Sequence, residues 1–174
     1  MPGGAGACYF ETVMSTAQNR VLEIIEDAIY DEQSAHDYYL KMVEVIDDRS
    51  GKEQFRHLAQ EEVRHRELLE ERWRALTGKR FRFEASKLPH DHAPIPTTNA
   101  TAVEVLGMAM EQELEAVAKY KELAASAPDE EAKSAYLELA RDEHQHYEWF
   151  RAQRQAIQSG IHWFIETLPG TLER

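Results

Sequence analysis

Two short segments of this chain, Glu62-Val63-Arg64-His65 and Glu143-His144-Gln145-His146, each set a carboxylate three residues ahead of an imidazole. Residues three apart share a helix face, so each pair can turn toward one point. Two further glutamates, Glu32 and Glu113, each lie thirty residues ahead of the Glu of the next pair. All six residues recur at one offset of 81 positions, and the offset also relates Ala35 to Ala116, Tyr39 to Tyr120, Phe55 to Tyr136, and Leu58-Ala59 to Leu139-Ala140. Every one of these polar residues falls on an otherwise apolar helical stripe. Four unpaired carboxylates inside a core would cost many kcal/mol or be forced to protonate. Two divalent cations would cancel the four charges, so the pattern points to a dinuclear metal site.

The ligand types narrow the metal. Carboxylate and imidazole donors without thiolate suit iron or manganese, and zinc can also occupy such a site. Glu62 and Glu143 are the natural bridging ligands. Glu32 with His65 would complete one metal, and Glu113 with His146 the other. Tyr39 and Tyr120 stand seven residues, about two turns, beyond the terminal glutamates. Each is placed to donate a hydrogen bond that orients a neighbouring Glu.

Four helices must carry these residues. The first is expected over about residues 16–48, where Val21, Ile25, Ala28, Glu32, Ala35, Tyr39, Met42 and Ile46 recur at steps of three and four. The segment DDRSGKE should break the chain, with Ser50 and Gly51 as turn residues. A second helix follows over about 52–76, ended by Gly78. The Pro-containing stretch FRFEASKLPHDHAPIPTTN has no helical period and reads as an extended crossover. The third helix spans about 101–126, with Thr101 or Asn99 as its cap. The fourth spans about 129–158, with Pro128 in its first turn and Gly160 at its end. Two helix hairpins joined by one long connection make an all-α, ferritin-like four-helix bundle over residues 16–158. Residues 1–15 read as a loose leader. The apolar tail from residue 159, holding Ile161, Trp163, Phe164 and Ile165, should pack on the bundle or on a second subunit, and a homodimer or larger homo-oligomer is expected.

The formal net charge of −12 disfavours nucleic acid and anionic membranes as partners. Cys8 is the only cysteine, which rules out an internal disulfide or a four-thiolate metal site within these residues and fits a cytoplasmic location. No run approaches the length of a membrane span.

The motifs EQSAHDYY and ELEAVAKY, with FRHLAQEEVRH and YLELARDEHQH, resemble those of the rubrerythrin family within the ferritin-like superfamily, over about residues 18–158. That resemblance implies a bridged di-iron site with Glu32, Glu62, His65, Glu113, Glu143 and His146 as ligands. It also implies an oxidoreductase that reduces hydrogen peroxide, or one that oxidises ferrous iron with dioxygen. Two departures stand out. No four-cysteine rubredoxin segment is present, so electrons would come from an external donor such as a rubredoxin-like protein. The family's extra glutamate on the third helix corresponds here to Ala116, which weakens the expectation of a redox-driven metal shift. A non-catalytic role in iron storage, sequestration or delivery is the competing reading, and a structural zinc or manganese protein a third.

Other metal-capable residues read as ordinary. His36, His57 and His144 lie off the stripes and are expected at the surface, with His36, one turn after Glu32, the nearest to an alternative ligand. His90 and His92 form a loop pair without a third donor. Met42 and Met110 are expected to fill the core.

Overall fold

The computed structural model describes residues 16–45, 49–88 and 99–160. Helices α1 (Thr16–Val45), α2 (Arg49–Thr77), α3 (Asn99–Ala125) and α4 (Glu130–Gln158) account for nearly all of them, and no strand occurs among the described residues. Helix-favouring Ala, Glu, Leu, Arg and Lys dominate each segment. Packing then selects the buried face. α1 pairs with α2 and α3 with α4 as two hairpins, while α1 and α3 are sparsely packed against each other. This is the expected four-helix bundle.

Helix boundaries follow local chemistry. Asp129 caps α4, its carboxylate accepting from the Ala132 amide at 2.8 Å, and Glu130 and Glu131 add favourable charge to the first turn. Gly78 takes φ +69° just after α2 and donates its amide to the Arg74 carbonyl, as the C-terminal cap reading requires. Three expectations need correction. Ser50 and Gly51 belong to the first turns of α2 rather than to a break; glycine costs only about 1 kcal/mol in a helix, and Gly51 is buried where the hairpin closes. Thr101 lies inside α3, which starts at Asn99. Pro128 precedes the cap instead of occupying the first turn, because the Asp129 side chain sets the helix start.

The core has two apolar clusters with a polar layer between them. One gathers Met42, Phe55, Leu58, Leu106, Trp149 and Phe150 with Tyr39. The other gathers Ile25, Ile29, Leu69, Leu123, Tyr136 and Leu139 with Tyr120. Met42 fills the first cluster as expected, and Met110 packs against it part-buried. After Gly78 the crossover runs without helix to a single 3-10 turn at Ala85–Lys87. It is held over α1 by Phe81 and Phe83, whose rings meet Tyr30 at 5.8 and 5.1 Å, and by the Glu84 amide donating to the Tyr30 hydroxyl at 3.0 Å. The rest of the crossover with His90 and His92, the leader with Cys8 and the apolar tail lie outside the described residues. No described helix is long and apolar enough to cross a membrane.

Candidate metal centre

The polar layer is the set of six residues that the repeat singles out. Glu32, Glu62, His65, Glu113, Glu143 and His146 come from all four helices, and none is more than 5% exposed. They form two overlapping groups. Single donor atoms of Glu32, Glu62, His65 and Glu143 all lie within 4.8 Å of one another, and so do those of Glu62, Glu113, Glu143 and His146. Glu62 and Glu143 belong to both groups.

The imidazoles face inward through Nδ1. His65 Nδ1 lies 2.8 Å from Glu143 Oε1, 3.1 Å from Glu62 Oε2 and 3.8 Å from Glu32 Oε2. His146 Nδ1 lies 3.0 Å from Glu143 Oε2, 3.4 Å from Glu62 Oε1 and 3.8 Å from Glu113 Oε2. The tyrosines act across the bundle rather than on their own helices. Tyr39 on α1 donates its hydroxyl to Glu113 Oε1 on α3 at 2.8 Å, and Tyr120 on α3 donates to Glu32 on α1.

Two residues that the sequence reading passed over complete the arrangement. Asp142 on α4 accepts from His65 Nε2 at 3.4 Å, and Glu61 on α2 accepts from His146 Nε2 at 3.1 Å. Each carboxylate fixes the proton on Nε2 of the other hairpin's histidine and so leaves Nδ1 free as a donor toward the centre. The signal was present in the sequence, since Glu61 and Asp142 are related by the same 81-residue offset and both precede a ligand Glu. Arg64 ties the two together, 2.7 Å from Asp142 and 3.8 Å from Glu61.

Burial and mutual charge set the protonation of the metal-free layer. Desolvation, reinforced by the charges of Glu143 and Glu62, pushes the Glu32 carboxyl well above its usual range. Desolvation and Glu143 do the same to Glu113. Burial alone would raise Glu143 too, but the His65 and His146 imidazolium groups hold it well below the carboxylate range. Burial would lower both histidines, yet the charge of Glu143 at His65 and of Glu62 at His146 raises each well above its ordinary value. The layer therefore discharges itself by holding protons on both imidazoles and on the terminal carboxyls. Cations would have to displace these protons.

Residues 23–154 match the sequence model of the Rubrerythrin family. The chain belongs to the rubrerythrin family. A hypothetical protein from Pyrococcus furiosus has a similar structure, with a TM-score of 0.70 at 26% identity, over 82% of this chain and 93% of that one. No curated protein matches.

The donor set of this rubrerythrin-family chain fits metal cations on a direct observation. Glu62 Oε1 and Glu143 Oε1 are fully buried, and no hydroxyl or amide donates to either; their polar neighbours are the inward Nδ1 atoms, His146 at 3.4 Å and His65 at 2.8 Å. An ionised carboxylate oxygen left without a donor in a core is costly, and both belong to the two residues that the groups share. A cavity of about 160 Å³ between α1 and α3 reaches these carboxylates, lined by residues that include Glu32, Glu62, Glu113, Glu143 and Ala116. Ala116 thus leaves space beside the centre where the family pattern has a glutamate.

Among the described residues, the remaining histidines stay outside both groups. His36 is half-buried rather than at the surface, because its Nδ1 donates to the Ala59 carbonyl of α2 at 2.8 Å. His57 sits 3.6 Å from Glu61, and His144 is exposed and stacks on Tyr147.

Proposed function

We propose that this chain is a non-haem di-iron oxidoreductase of the rubrerythrin kind, reducing hydrogen peroxide or oxidising ferrous iron with dioxygen. The observation that carries the reading is the pair of overlapping buried ligand groups sharing Glu62 and Glu143, whose inner oxygens meet only the imidazole Nδ1 atoms. In this reading Glu62 and Glu143 would be shared by two irons, Glu32 and His65 Nδ1 would complete one, and Glu113 and His146 Nδ1 would complete the other. Iron bound there would supply a two-electron couple at oxygen-rich ligands.

The chain's own residues do the rest. Tyr39 and Tyr120 fix the terminal carboxylates by hydrogen bonds from the opposite helix, and Glu61 and Asp142 fix the imidazoles. The apolar clusters close the layer above and below, and the α1–α3 cavity is its approach. The cavity favours a redox role over a structural metal, because structural sites are closed whereas catalytic ones keep an open approach. Electrons would arrive one at a time from an external donor protein, and a cytoplasmic homodimer or larger homo-oligomer is the setting that the single cysteine and the apolar tail support.

Rapid mixing of the ferrous-loaded protein with peroxide and, separately, with dioxygen tests the reading. Faster oxidation by peroxide identifies a peroxidase, and faster oxidation by dioxygen a ferroxidase. Oxidation by neither would overturn the redox role and leave storage or delivery of iron.

A further inference from the structure

We propose that the α1–α3 cavity binds hydroperoxides carrying a short alkyl chain, ROOH, and presents them to the carboxylate layer for reduction to the alcohol ROH and water. The inference rests on the redox reading above and deepens it by naming a substrate class.

Size is the first argument. Hydrogen peroxide has two heavy atoms, and a water molecule takes about 30 Å³ of liquid volume. The cavity, at about 160 Å³, takes in the space among the ligand carboxylates; two cations of about water size would use only about 30 Å³ of it, and the remainder is several times larger than that chemistry needs. An engineered cavity of roughly 150 Å³ is known to hold benzene, so a molecule of about six heavy atoms is in range.

The lining is the second argument. Ala28 and Ala35 of α1 face Ala109 and Ala116 of α3, two pairs related by the 81-residue repeat, and Tyr38 adds an aromatic wall. Because α1 and α3 are sparsely packed, these methyl groups border open space instead of bringing the helices together. The floor differs in kind: it includes the buried carboxylates Glu62 and Glu143, each about 1% exposed, while Ser34, Gln112 and Glu115 add polar groups elsewhere in the lining. At the rim, Lys119 and Asp31 form an ion pair between the two helices. A ligand with a polar head and a compact apolar tail matches both ends, head toward the carboxylates and tail against the alanines. An ionic or strongly polar tail would lose its hydration along the alanine wall.

The step balances as ROOH plus two electrons and two protons giving ROH and water. The O–O bond breaks and no new bond to carbon forms. The two electrons come from the reduced metal pair of the proposed function, one per metal, and are restored by the external one-electron donor. Both protons come from solvent through the cleft.

The test uses tert-butyl hydroperoxide, with hydrogen peroxide as comparator. Wild-type ferrous-loaded protein should be oxidised by tert-butyl hydroperoxide at a rate within about tenfold of that with hydrogen peroxide, and Ala116→Leu should depress the tert-butyl hydroperoxide rate at least about tenfold more than the hydrogen peroxide rate. Ala35→Leu, on the facing helix, should skew the ratio the same way. A readout without turnover uses tert-butanol and the metal-free protein: saturation-transfer NMR should detect binding in wild type and lose it in Ala116→Leu. Oxidation of wild type by hydrogen peroxide alone overturns this inference and spares the redox reading. Equal slowing of both peroxides in the two variants, or no alcohol binding to wild type, overturns it as well. If neither peroxide oxidises the protein this inference fails, and the redox reading fails with it only when dioxygen does not oxidise the protein either.

Discussion

Tyr39 on α1 donates to Glu113 on α3 at 2.8 Å, across 74 positions of sequence, and Tyr120 returns the same bond from α3 to Glu32 on α1. The two hairpins therefore hold each other's terminal carboxylates. Because α1 and α3 are otherwise sparsely packed against each other, this reciprocal pair fixes the spacing of the ligands as well as their orientation. Tyr39→Phe keeps the ring against Phe55 and Phe150 but leaves Glu113 Oε1 without its donor. Loss of such an orienting bond lowers metal affinity by about 10- to 100-fold. Competition against a chelator should register that loss for one of the two metals in Tyr39→Phe and for the other in Tyr120→Phe. Unchanged affinity in both variants would show that the carboxylates are held by something else.

Much of the bundle was legible because the ligands and the core share one periodicity. The stripe that carries Phe55, Leu58 and Ala59 also carries Glu62 and His65, so fixing the core face fixed the inward direction of the ligands. The 81-residue offset then set the second hairpin against the first. What escaped lay off the stripe. Glu61 and Asp142 flank the ligand glutamates and look like surface acids until the opposite hairpin brings a histidine against each. Likewise the partner of each tyrosine depends on how α1 faces α3, which no pattern within one helix reveals. Helix starts were the other misreading, since Asp129 rather than Pro128 sets the beginning of α4 through a hydrogen bond to Ala132.

The shared position of Glu62 and Glu143 makes their removal different from removal of a terminal ligand. Glu32→Ala takes donors from one group only, and should leave one strongly held metal per chain. Glu62→Ala or Glu143→Ala takes a donor from both groups. Metal analysis after ferrous or cobaltous loading and desalting should then find fewer than two ions per chain, with the coupled spectroscopic signature of a bridged pair absent. Two tightly held ions in either bridging variant would contradict the assignment of both carboxylates as shared.

Asp142 and Glu61 give a sharper separation of the two halves. Asp142→Ala should free the His65 ring to rotate and weaken the metal that His65 serves, by about 10- to 100-fold. Glu61→Ala should do the same for the His146 metal. A cobalt titration should turn from a single steep phase into two phases in each single variant. Asp142→Asn retains an acceptor for Nε2–H and should recover part of the affinity. A titration indistinguishable from wild type in both alanine variants would mean that packing alone, including the stacked contact between the two rings at 5.9 Å, orients the histidines.

The protons held in the metal-free layer predict opposite pH trends for the empty and loaded protein. His65 and His146 have folded-state pKa values raised above those of the unfolded chain. Their contribution to stability is complete below the ordinary histidine range and is lost as pH rises through the raised values. Glu32 and Glu113 are raised as well, so they act in the same direction, while Glu143, held low, stays ionised throughout this range. The metal-free protein should therefore lose thermal stability as pH rises through and above the ordinary histidine range. Metal binding must expel those protons, so affinity, and with it the stabilisation from bound metal, grows over the same interval. The gap in melting temperature between loaded and metal-free protein should widen with pH when measured by calorimetry at fixed metal concentration. A gap that stays constant or narrows would mean that the layer is already deprotonated before the metal arrives.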